Sequence, residues 1–315
     1  MIPADPRRLA GIRFGISIST APDMPMGVDP EQATNHLIFR FASSLILEGG
    51  TLLLGHRWKP NGIMEHLALQ ARESRWRDRA LAAGVPVPIL NLLAWPDEPP
   101  TSTNGLRMMR ERILEVRQIP PPGFPLHQLQ DLEPQVRHEP LGEFLRARAL
   151  TAMRQEMARL ADVRLCLGGA MGRPLRRLPG VVEEALVTHQ AGKPLLVAGA
   201  VGGTAKAVAS ALLHRRLTDD ERAMFMTPPK AAALFAEFEV AYPVPPGDGA
   251  STEDGWNALR YFQEIELEDL ARRSGLTLDE YVLVLTSNDV LRVLALAVTG
   301  ILRLNAGVGT GVPRT

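Results

Sequence analysis

The sequence predicts an α/β protein, a Rossmann-like three-layer fold with a mostly parallel sheet, flanked by additional C-terminal helices. Short apolar runs such as IRFGISIS (12–19), TLLLG (51–55) and VRLCL (163–167) alternate with longer stretches whose apolar residues recur at helical spacing. Most of these runs are apolar almost continuously, as strands covered by helices on both faces must be. They end in glycine-rich loops that lead into helices, the connection used in βαβ units.

Each element follows in order. Ile12–Ser19 mixes β-branched with small residues and ends at TAPDMPMG, so a first strand opens into a loop. Pro30–Glu48 places Leu37, Phe41, Ser44 and Leu45 at helical spacing and stops at Gly49-Gly50. Thr51–Gly55 is a second strand, followed by the polar loop HRWKPNG. Ile63–Ala83 is helical and ends at Gly84, and the run Val85–Trp95 supplies a third strand. Ile113–Ile119 is a further strand. From about 119 to 140 the chain carries too many prolines for a helix or a central strand and is expected to be an insertion or long loop.

Regular structure resumes with a helix at Leu141–Leu160, a strand at Val163–Leu167, a helix at Gly180–Gln190, a strand at Pro194–Ala198 and a helix at Thr204–His214. From Leu217 no strand is expected. PVPPGDGASTEDG acts as a linker before helical segments at Trp256–Arg273, Thr277–Leu285 and Asn288–Leu304. The predicted organisation is a nucleotide-binding core at 1–216 and a helical extension at 217–315, packed on the core or serving a homo-oligomer surface.

Composition narrows the function. With 315 residues, 45% of them hydrophobic, the chain can bury a large core. Its 35 basic residues balance 35 acidic ones, so no overall field draws it to nucleic acid or an anionic membrane, and any bound anion must be held locally. The single cysteine, Cys166, excludes an internal disulfide and fits a reducing compartment. No signal-type stretch follows Ala10, and the apolar segment at 290–304 is short and interrupted by Arg292. A cytoplasmic location without membrane contact is expected.

In an open parallel sheet ligands bind beyond the carboxyl ends of the strands, at helix N-termini whose free N–H groups favour anions. Four loops fall on that edge: Ser19-Thr20, Gly55-His56-Arg57, GGAMGRPLRRLPG after Leu167, and GAVGG after Ala198. The third combines Gly168, Gly169 and Gly172 for close backbone approach, Arg173 for phosphate charge, and Pro179-Gly180 stepping into a helix. Glu183 and Glu184 sit in that helix's first turn, where a carboxylate can serve the helix dipole, bond a ribose hydroxyl or polarise a glycosidic bond. Gly199, Gly202 and Gly203 precede another helix without dinucleotide-fingerprint spacing, and alone would be only a tight turn. His56 and Arg57 follow a strand directly, and Trp58 could stack on a base. No histidine spacing suits a metal, no nucleophile elbow occurs, and Lys206 lacks the spacing of a P-loop lysine. Neither a metal nor a firm cofactor is expected.

The order of GISIS, LEGGTLLLGHRWKPNGIMEHLA, ADVRLCLGGAMGRPLRRLPGVVEEAL and AGKPLLVAGAVGGTAKAVASAL resembles the SLOG superfamily. The resemblance is closest to its prokaryotic branch related to the sensor regions of melastatin-type TRP channels, and TSNDVLRVLALAVTGILRL is similar to that branch's closing helix. The resemblance implies a Rossmannoid fold that binds ADP-ribose, NAD or a related nucleotide signal, in a sensor of bacterial defence systems with a separately encoded effector. In the sensing reading Ser17, Ser19, Gly168, Gly169, Gly172, Arg173, Gly180, Glu184, Gly199, Gly202 and Gly203 line the pocket. In cytokinin-activating relatives a PGGxGTxxE motif supports N-glycosidic cleavage. Here Pro179, Gly180 and Glu184 match its Pro-Gly and final Glu, while Val181 stands where the threonine would be and the glycine pair is lost. Sensing is therefore the first reading. The alternatives are a nucleotide N-glycosidase with Glu184 as catalytic residue, and a scaffold that has lost its ligand.

Overall fold

A computed structural model describes residues 8–19, 29–59, 62–73, 86–130, 140–170, 178–219, 229–243 and 255–308. Its six strands are β1 (Arg13–Ser19), β2 (Thr51–Leu54), β3 (Ile89–Ala94), β4 (Leu114–Ile119), β5 (Val163–Gly168) and β6 (Leu195–Ala198). They form one sheet in the order β4-β3-β2-β1-β5-β6, and every pairing is parallel. The fold is thus α/β and Rossmann-like. All residues of β2, β3, β5 and β6 are buried, whereas the edge strand β4 is mostly half-exposed, which accounts for its more polar sequence LEVRQI.

From β1 the chain steps outward through α1 (Pro30–Leu47), α2 (Ile63–Glu73) and α3 (Thr103–Arg110) to β4. It then returns along α4 (Leu126–Gln130) and the crossover helix α5 (Pro140–Leu160) to pair β5 with the other side of β1. The strand order therefore reverses between β1 and β5, the place where open α/β sheets leave a crevice. Side chains alternate across the sheet: Leu52, Leu54 and Ile89 join the core cluster that includes α1 and α2, and Leu53, Leu90 and Leu92 join the one that includes α5.

Beyond β5 come α6 (Gly180–Gln190), β6, a 3₁₀ turn at Gly199–Val201 and α7 (Gly203–Leu212). The later helices are α8 (Pro229–Ala241), α9 (Gly255–Gln263), α10 (Leu267–Arg273), α11 (Leu278–Thr286) and α12 (Val290–Val308). Helix α11 packs against β6, where the buried Tyr281 hydroxyl donates to Leu195 O at 2.8 Å. Phe262, Leu270, Tyr281, Leu285 and Ile301 belong to the same cluster as the sheet's own Leu165 and Leu196.

Three local expectations need correction. Helix α3 was not anticipated, although Ser102 caps it by accepting from Gly105 N. The proline-rich stretch holds the one-turn-plus helix α4, which fits between prolines because it needs so few backbone bonds. The segment expected as one helix at 256–273 is two, α9 and α10, separated at Glu264–Glu266, where Glu266 adopts extended angles. The linker at 244–254 lies outside the described residues. Among the described residues no helix is long and apolar enough to cross a membrane.

Candidate functional site at the strand-order reversal

Strand β1 places Gly15, Ser17 and Ser19 on one face, and its register sets Gly15 beside Arg164 and Ser17 beside Cys166 of β5. A Cβ on Gly15 would touch Arg164 Cζ at 3.4 Å, an ordinary contact, so only a side chain larger than a methyl group there would crowd the guanidinium lying across the strand. Arg164 is fully buried. Its Nη1 donates to Ser17 Oγ at 2.8 Å and to Glu184 Oε2 at 3.3 Å, while Nε and Nη2 have no partner among the described residues.

Glu184 is held from two sides, because its Oε1 accepts from Arg154 Nε of α5 at 3.3 Å. Arg154 Nη1 donates to Glu183 Oε2, and Thr151 Oγ1 donates to Glu183 Oε1. Two arginines and two glutamates thus form one network under the sheet edge. Buried charges persist only when paired and hydrogen-bonded in this way. Burial opposes the charge on Arg154, but the Glu183 and Glu184 carboxylates outweigh it and raise the guanidinium's proton affinity.

Glu184 also borders a cavity of about 40 Å³ at the ends of β1 and β2, together with Ser17, Gly55, His56, Met64 and Met157. A Cβ on Gly55 would lie 2.8 Å from Met153 Cε and 3.0 Å from Met157 Sδ, so any side chain there would displace the ends of these two methionines. His56 is clamped through its backbone: its N–H donates to Asn91 Oδ1 at 3.0 Å and its carbonyl accepts from Asn91 Nδ2 at 2.8 Å. Burial pushes the His56 imidazole below its ordinary range, Lys59 adds to the shift, and Asp97 opposes it.

The glycine loops meet each other at the next pair of strand ends. Ser19 Oγ accepts from Ala170 N and Ser19 O accepts from Gly169 N, each at 2.9 Å, so the end of β1 is tied to the loop after Gly168. Gly169 has φ +110°, and a Cβ there would come within 2.1 Å of Thr204 Oγ1. Thr204 N in turn donates to Gly169 O at 3.2 Å. Gly202 and Gly203, both at positive φ, lead into α7 beside this contact, and Gly199 is packed against Ala209 and the Leu285 carbonyl. Gly180 is the first residue of α6, whose preceding Pro179 supplies no side-chain cap.

The structure therefore gathers Ser17, Gly55, His56 and Glu184 around one cavity, and joins Ser19 through Gly169 to Thr204 of α7. Glu183 lies in the buried network and Arg57 is paired with Asp97, with Nη2 to Oδ1 at 2.7 Å. Trp58, a residue that could have stacked on a base, belongs to the hydrophobic core and is only 9% exposed. Thr20, Gly172 and Arg173 lie outside the described residues. Sequence reasoning missed Arg154, Arg164, Thr151 and Asn91. Arg164 did carry a signal, a charged residue inside a buried apolar strand. Among the described residues no group of three or more His, Cys, Asp or Glu could hold a metal ion.

A family model described as SLOG cluster2 matches residues 8–281. The X-ray structure of TM1055, a structural genomics target, is 16% identical, with a TM-score of 0.36 over 73% of this chain and 99% of that one. No curated protein matches the chain.

Proposed function

Because the chain belongs to the SLOG cluster2 family, we propose that its strand-order reversal between β1 and β5 holds a nucleotide-derived ligand, ADP-ribose, NAD or a related signal. The observation that supports this most is the placement of Glu184. Its carboxylate reaches the cavity beside Ser17 and His56 while two guanidiniums hold it from behind. A fixed carboxylate with lone pairs to spare accepts ribose hydroxyls, and the first-turn N–H groups of α6 suit phosphate oxygens. A cavity of about 40 Å³ admits only a water or two. The ligand would therefore lie across the sheet edge, with one polar group directed into the cavity. Arg173, which follows β5 in the sequence, is proposed as the phosphate's cation.

Sensing is the first reading, in a cytoplasmic protein that signals to a separately encoded effector. The second is a nucleotide N-glycosidase, favoured by the same carboxylate, which would stabilise positive charge developing on the ribose as the base departs. Thermal-shift and product analysis with ADP-ribose, NAD and AMP separates them. Sensing predicts stabilisation with intact ligand, reduced in Arg173→Ala and Glu184→Gln. Release of free base that stops in Glu184→Gln would make the protein an enzyme, and no response to any nucleotide would overturn both readings.

A further inference from the structure

We propose that Arg164 is a positioning residue for the ligand site, acting through Glu184 and Ser17; this rests on the nucleotide reading above. A strand interior buried on both faces is a costly place for a guanidinium. The fold nevertheless provides for it: Gly15 is empty opposite the side chain, and Ala161 Cβ comes no nearer than 3.5 Å to the position a Gly15 Cβ would take. One nitrogen, Nη1, serves both partners, Ser17 Oγ and Glu184 Oε2, and both of these residues face the cavity. Nη2 and Nε, fully buried, donate to nothing among the described residues. A guanidinium serving only to neutralise a core carboxylate would spend its donors on that carboxylate. This one is instead anchored to two residues that line the cavity.

Arg154 and Arg164 divide the work on Glu184. Arg154 comes from α5 and also takes Glu183, so it ties α5 to α6. Arg164 comes from the sheet and sets where the Glu184 carboxylate stands relative to the end of β1. Loss of Arg164 leaves Glu184 ion-paired to Arg154 but free to turn away from Ser17.

The test compares the full-length parent with Arg164→Met, Arg164→Lys, Glu184→Gln, the double variant Arg164→Met/Glu184→Gln, and Gly15→Val. Each is titrated calorimetrically with ADP-ribose, NAD and AMP, and its unfolding is followed in parallel. Arg164→Met is expected to weaken binding by about tenfold or more, with Arg164→Lys recovering part of the loss because a point charge reaches one partner but not both. In the Glu184→Gln background the same substitution should weaken binding by clearly less, since the two residues act as one unit. Gly15→Val keeps every charge but crowds the guanidinium, and should weaken binding in the same direction. If Arg164→Met lowers the melting temperature but leaves affinity unchanged, Arg164 is structural and the proposal is overturned. Full additivity of Arg164→Met with Glu184→Gln in affinity overturns it equally. A parent that binds none of the three nucleotides removes the nucleotide reading, and this one with it, a result distinct from binding that ignores Arg164.

Discussion

At the scale of single residues, the decisive fact is which charge stands under which. Arg154 is 4% exposed at its side chain and faces Glu183 at 6% and Glu184 at 14%, so neither carboxylate can turn fully to water. Arg154→Met should therefore destabilise the protein by about 3–5 kcal/mol, the usual cost of leaving buried carboxylates without their cation. Urea unfolding measures this, and Arg154→Met/Glu183→Gln should recover part of the loss. Two partly buried histidines add a pH dependence. His56 and His189 are both held below their ordinary range, chiefly by burial; Lys59 and Arg273 reinforce the shifts and Asp97 and Asp269 oppose them. His189 also meets the Tyr261 hydroxyl at 2.7 Å through Nδ1. The unfolded chain binds these protons more readily than the folded one. Their contribution is thus complete above the unfolded value of 6.5 and is lost as pH falls below it. The melting temperature of the parent should drop from pH 7.5 to 5.5, and His56→Asn or His189→Gln should flatten that drop; an unchanged slope in both variants would contradict the assignment.

At the scale of elements, the C-terminal helices are held by local devices as much as by packing. Helix α11 begins with a reciprocal capping box, Thr277 Oγ1 accepting from Glu280 N and Glu280 accepting from Thr277 N. Thr277→Ala should cost about 1 kcal/mol, read as a shift of the urea midpoint with unchanged slope. Glu280 also accepts from Arg303 of α12. These bonds hold its carboxyl down at about 2. The turn between α10 and α11 crosses α12 so closely that a Cβ on Gly300 would sit 2.1 Å from Ser274 O. Gly300→Ala must push the two elements apart, and a substitution that is normally favourable inside a helix should here destabilise.

At the scale of the whole molecule, the helices from Gly255 onward belong to the core that includes β6, whereas α8 packs on α5. Tyr281 and Ser274 both donate to Leu195 O, and Leu285 O abuts Gly199 just beyond the end of β6. A chain ended at Arg216 would expose Leu196, Val197 and the face of α7 that packs on α9. It should lose cooperative thermal unfolding and bind apolar dyes.

Much of this was legible in the amino-acid order, because burial on both sheet faces forces nearly continuous apolar runs whatever the partners are. TLLL, VRLCLG and LLVA announce parallel strands, and glycines after them mark the edge where ligands bind. That reading brought Ser17, Gly55, His56 and Glu184 to one edge. Helix α3 escaped it because its amphipathic stretch is short, and α4 because prolines on either side mask a single turn. The charges inside the core were decided by tertiary structure alone. Gly15 reads as a weak strand residue until register sets it against Arg164, 149 positions along the chain. Arg154 reads as one more polar residue on a long helix until the crossover lays it over Glu183 and Glu184. Periodicity reports which face of an element is buried, but charge pairing depends on which faces meet, and only the folded chain determines that.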